Sequence, residues 1–95
     1  MEQELLDAVQ RIRSSSVLRV LKIVHGYGST GKGGRTREVV LNWLYRQRPR
    51  LRTVIEGADY GILEPDTRRL RAAVGQYPDP DLDASNRGVT VVWVR

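Results

Sequence analysis

The residues able to do chemistry gather in one stretch, His25 to Arg37, which reads HGYGSTGKGGRTR. Glycines at this density let successive backbone N–H groups approach an anion unhindered by side chains. A helix starting just beyond adds about half a positive charge at its N-terminus. Lys32, Arg35 and Arg37 would reinforce that charge, so the stretch predicts an anion-binding loop. Its candidate binding residues are Gly26, Tyr27, Gly28, Ser29, Lys32, Gly34, Arg35 and Arg37. Tyr27 suits either stacking on a base or shielding the turn.

Two nucleotide-binding patterns overlap here, and each fails. Gly26, Gly28 and Gly31 fit the dinucleotide fingerprint G-x-G-x-x-G, and Glu56 stands where a ribose contact is expected. A helix precedes the first strand, however, and the remaining chain is too short for the second half of such a domain. Gly26, Gly31 and Lys32 fit the P-loop until Gly33 replaces the hydroxyl residue that binds magnesium. No apolar strand ends in the aspartate that would complete that site.

His25 is the sole histidine and falls where the first strand gives way to the loop. Imidazole exchanges protons near neutral pH, so it is the candidate general acid or base, with Arg35 and Arg37 as candidate stabilisers of developing charge. A histidine there serves equally well by hydrogen-bonding the loop backbone. One histidine forms neither a metal site nor a triad, and the chain has no cysteine. No cofactor is evident, although a divalent metal would suit a nuclease. Asp79, Asp81 and Asp83 lack the glycine and glutamate of a calcium loop and read as a solvated acidic turn. They could also fold toward the basic loop and compete with nucleic acid.

The elements that position these residues follow from periodicity. EQELLDAVQRIRS (2–14) places Leu5, Leu6, Val9 and Ile12 on one helical face, and three serines then interrupt it. Residues 19–24 of VLRVLKIV predict a strand, followed by a loop from His25 to Gly34. A helix over 35–48 turns Val39, Val40, Trp43 and Leu44 to the core, with Pro49 beyond its end. Tyr45 and Trp93 also fall in apolar patterns and are expected in the core. Residues 51–56 predict a second strand, reached by a right-handed parallel crossover. A short helix over 66–74 closes at Gly75, YPDPDLDASNRG is a loop, and GVTVVWV (88–94) is a strand buried on both faces. The chain is expected to form one domain, 1–95, in which residues 57–87 are an insertion before the last strand.

Charge is unevenly spread. The net +5 arises between Lys32 and Arg52, where seven basic residues face one acid; the rest carries nine basic and ten acidic residues. That concentration favours a polyanionic partner, DNA or RNA, although Arg46 to Arg52 also suit a solvated helix end. The apolar runs are far shorter than the roughly 18–20 residues that span a bilayer, so no membrane partner and a cytoplasmic location are expected.

Three ordered motifs, His25-Gly26-Tyr27-Gly28, then Gly34, Arg37 and Glu38, then Gly88 to Val92, resemble the Smr (small MutS-related) domain family. Thr36 stands where that family usually has leucine. The resemblance implies a two-layer α/β sandwich with a small mixed sheet, ordered β-α-β-α-β-β like the C-terminal domain of the third bacterial initiation factor. Its last strand would lie inside the sheet. It also implies binding of DNA or RNA, and DNA-nicking or RNA-cutting endonuclease activity in several members. The family's first strand, L-D-L-H-G with its Asp-x-His pair, is absent before the helix at residue 2. Without it one sheet edge is expected to stand open, a surface for a second copy or a partner protein. The expected function is therefore nucleic-acid binding with or without phosphodiester cleavage, the alternative being a non-catalytic interaction module working through the open edge.

Overall fold

Helix α1 (Glu2–Ser14) forms where the spacing of Leu5, Val9 and Ile12 demands it, and buries those three side chains. Glu2 and Glu4 in its first turn and Arg11 and Arg13 in its last complement the helix dipole. The Ser15 hydroxyl accepts the N–H groups of Val17 and Leu18, turning the chain toward β1 (Val20–Val24). The computed structural model describes residues 2–26 and 32–95, and of residues 32–35 only the backbone.

Helix α2 (Lys32–Arg46) begins three residues before the expected position and ends two residues early. The early start takes in Gly33 and Gly34, which are tolerated in a first turn whose N–H groups lack intrahelical acceptors anyway. The early end follows from Pro49, which lacks the N–H that would bond the Tyr45 carbonyl and whose ring would crowd that carbonyl. The chain passes instead through a 3-10 turn, Arg48–Arg50, into β2 (Thr53–Glu56). A second 3-10 turn (Gly57–Asp59) and α3 (Pro65–Val74), closed at Gly75 as expected, lead to β3 (Val89–Trp93).

The sheet has the order β1-β3-β2. Val20 to Val24 pair antiparallel with Trp93 to Val89, and Thr53 to Glu56 pair antiparallel with Trp93 to Thr90. Thus β1 and β2 run parallel, as a crossover requires, but β3 lies between them. The mixed sheet expected from the sequence is corrected on this point: every neighbouring pair is antiparallel. The reason lies in β3, which is buried at all five positions and gains most from the one place with neighbours on both edges.

On one face Val92 and Val94, with Leu21, Ile23 and Val54, meet Leu5, Val9 and Ile12 of α1 and Val40, Trp43 and Leu44 of α2. These are the helical and sheet layers of a two-layer α/β fold. Full burial of side chains such as Leu44 contributes about 1.5–3 kcal/mol each. On the other face Val91, Trp93 and Ile55 meet Tyr60 and Leu70, so residues 57–88 close that side.

The acidic turn is what fastens this second covering. Lys22 on β1 donates to Asp79 at 2.5 Å and to Asp81 at 2.7 Å. Asp79 also accepts the Tyr60 hydroxyl at 2.8 Å, and its side chain is 2% exposed. The expected solvated turn is therefore corrected for Asp79 and Asp81, while Asp83 stays exposed: a lone cation in an apolar strand needs a carboxylate, and the turn brings two. Burial pushes the Asp79 carboxyl up, but hydrogen bonds from Lys22, the Asp81 N–H and Tyr60 outweigh it and hold it below the usual range. Lys22, and next Asn86, hold Asp81 low as well. Burial lowers the Lys22 ammonium, yet the two aspartates together leave it raised. Gly57 sits where the covering segment meets β3, and a Cβ there would lie 1.8 Å from the Asn86 carbonyl oxygen.

Candidate functional site

At the end of β1 the chain turns sharply, and the N–H groups of His25 and Gly26 both donate to the Gly88 carbonyl, at 2.9 and 3.0 Å. Gly26 has φ +72°, a left-handed conformation that glycine adopts without strain. The His25 ring is buried and lies on the face covered by α1 and α2. Its Nδ1 is 2.7 Å from the Gly26 carbonyl oxygen, which can only accept, so the proton is assigned to Nδ1. In the neutral ring Nε2 then accepts the Thr90 hydroxyl at 2.9 Å. Both ring nitrogens are thus spent inside the protein, holding the turn to β3.

Thr90 stands opposite Ile23 on one side and Glu56 on the other. Glu56 extends the polar row toward α2, where its carboxylate accepts Arg37 Nη2 at 2.6 Å and the Tyr45 hydroxyl at 3.0 Å. Tyr45 is corrected from its expected core position, being 45% exposed. The carboxylate offers its hydroxyl a better partner than the apolar interior does. Partial burial, and next the hydrogen bond to Glu56, raise its phenol above the ordinary value. Trp43 and Trp93 are buried as expected.

Of the sequence candidates, His25, Gly26 and Arg37 are described in full: His25 bonds the Gly26 carbonyl and Thr90, while Arg37 is turned to Glu56. Lys32, Gly34 and Arg35 fall in the first turn of α2, which contains no acid. The candidate residues Tyr27, Gly28 and Ser29 lie outside the described residues. Sequence reasoning missed Thr90, whose signal was a single hydroxyl in an otherwise apolar strand; a buried polar group of that kind needs a partner.

Beside the outer edge of β1 runs a groove of about 280 Å³, lined by Leu5 and Ala8 of α1, Leu21, Ile23 and His25, and Val40 of α2. Among the described residues no three histidine, aspartate or glutamate side chains converge as metal ligands. Nor, among them, is any helix long and apolar enough to cross a membrane.

Comparison with protein-family models, curated proteins and solved structures finds no match for this chain.

What the arrangement can do follows from which donors remain. The imidazole is committed to Gly26 and Thr90, and the Arg37 charge to Glu56. The first-turn N–H groups of α2 have no intrahelical acceptor and sit at the positive end of a 15-residue helix.

Proposed function

We propose that the chain is a nucleic-acid-binding domain, similar to Smr domains, that grips backbone phosphate where the glycine loop enters α2. One observation carries this reading: the basic first turn of α2, free of acids, starts six residues after the Gly26 turn at the end of β1. The helix dipole, Lys32 and Arg35 supply positive charge there, and the glycines give phosphate oxygens access to backbone donors.

The geometry favours holding over cutting. A general acid or base needs a nitrogen facing the substrate, and both of His25's are occupied. An endonuclease would need the turn to open first. Fluorescence anisotropy with a labelled 20-base-pair duplex and a 20-nucleotide single strand tests the binding reading. Between about 50 and 200 mM salt the affinity should fall steeply, and Lys32→Gln with Arg35→Gln should flatten that fall. Affinity indifferent to both salt and substitution refutes it. Supercoiled plasmid and structured RNA incubated with wild type and His25→Ala decide on cleavage, because only wild-type cutting gives the imidazole a catalytic role.

A second reading rests on the groove beside β1, whose outer edge pairs with no strand among the described residues. An extended segment of a partner protein could add there as a fourth strand. Protection of the Lys22 and Val24 amides, which point away from β3, from hydrogen exchange only in the partner's presence would favour it.

A further inference from the structure

Arginines, not lysines, mark a second charged region at the other end of α2. In the last turn of α1, the Arg13 guanidinium donates to the carbonyl of Arg50 in the 3-10 turn. Arg48, in the same turn, lies over the Tyr45 ring at 5.5 Å. Arg52, two residues further on, lies over the Trp93 ring at 5.1 Å, and its N–H bonds the Trp93 carbonyl. All four side chains are exposed. Among the described residues none of them pairs with a carboxylate, whereas Lys22, Arg37, Arg46 and Arg69 each do.

Helix-end neutralisation accounts for only part of this clustering. The C-termini of α1 and α2 together supply about one unit of negative charge, which leaves about three units uncompensated. Stacking on Tyr45 and Trp93 holds two guanidinium planes in place while their edge N–H groups stay open to solvent. A planar fork held in that way matches two oxygens of one phosphate, which an ammonium does not. Both of the chain's lysines, Lys22 and Lys32, lie elsewhere.

We propose that Arg13, Arg48, Arg50 and Arg52 form a nucleic-acid-binding surface, separate from the glycine loop, that recognises backbone phosphate without reading sequence. The surface stands on its own geometry, whether or not the loop binds phosphate.

The test uses the full chain, a labelled 20-base-pair duplex of mixed sequence, and three variants. In the first, Arg48, Arg50 and Arg52 become glutamine; in the second they become lysine; in the third, Lys32 and Arg35 become glutamine. Losing three phosphate contacts should make the slope of log affinity against log salt shallower by about 2.7. The affinity lost between about 50 and 200 mM salt then shrinks about 40-fold. The lysine variant keeps the charge, so it should keep the slope while binding more weakly than wild type, and it separates charge from any folding defect. Wild-type affinity and slope in the glutamine variant overturn the proposal. So does a result in which that variant loses only its binding to phosphatidylserine vesicles, which assigns the surface to a membrane. If only the loop variant weakens, the proposed function survives and this surface does not; the reverse result retires the loop.

Discussion

Asp79→Ala removes the group that receives Lys22, Tyr60 and the Asp81 N–H, at 2.5, 2.8 and 3.1 Å. Tyr60 is 1% exposed, and losing its acceptor strands a buried hydroxyl proton, which costs about 1–3 kcal/mol. The Lys22 side chain is 29% exposed and keeps Asp81, so its share is limited to about 1 kcal/mol. Together the loss should be about 2–4 kcal/mol, from a total near 5–14 kcal/mol for a domain of this length. In calorimetry Tm should fall by about 10–25 °C, and urea unfolding at pH 7 should give the matching free energy. The pH dependence adds a second readout. Because Asp79 and Asp81 titrate lower in the folded protein, their contribution is complete above the ordinary carboxylate value of about 3.9 and is lost as pH falls through the folded values. Lys22, being raised, contributes fully below about 10.4 and loses its contribution as pH rises through its folded value. The variant should therefore show a flatter acid limb than wild type. A loss under about 1 kcal/mol with an unchanged acid limb would show that charge does not fasten residues 57–88 to the sheet.

Three further perturbations address other joints. Gly57→Ala forces a methyl onto the Asn86 carbonyl and within 2.8 Å of the Val89 carbonyl, so it should cost more than about 3 kcal/mol or prevent folding; a melt within a few degrees of wild type contradicts this. Thr90→Val leaves His25 Nε2 without its donor and should cost about 1–3 kcal/mol by urea unfolding, with a changed ring ¹⁵N shift for His25; an unchanged shift would mean that the hydrogen bond is absent. Glu56→Gln releases the Arg37 charge while keeping the shape of its partner, and the salt slope of duplex binding should steepen by up to about 0.9; an identical slope places Arg37 outside the interface.

The elements were legible because each carries its own periodicity: Leu5, Val9 and Ile12 at helical spacing, and VTVVW apolar at every position. The resemblance placed the last strand inside the sheet, where β3 lies, but not the direction of its pairings, since a run such as LRTVIE says nothing of which way its neighbour will run. Burial of charge was hidden for a related reason. Asp79 looks solvated in YPDPDLD and becomes buried only because Lys22, 57 residues earlier, interrupts an apolar strand. Tyr45 misled in the opposite sense, keeping a helical core spacing while Glu56 drew its hydroxyl to the surface. In the candidate site the basic loop and His25 stood out by residue type. The partners that decide their chemistry, Thr90 and Glu56, are joined to them only across the sheet.

The central place of β3 bears on how this chain comes to be folded. Val20 and Trp93 are partners across 73 residues, and neither β1 nor β2 has a neighbour until β3 arrives. During vectorial synthesis the first two strands therefore wait unpaired, with Leu21, Ile23 and Val54 held only by whatever α1 and α2 can cover. Such non-local closure is slow compared with helix formation, and it makes assembly of the sheet a single late event. A nascent chain stalled before residue 89 would accordingly behave as three helices accompanied by two unpaired, aggregation-prone strands.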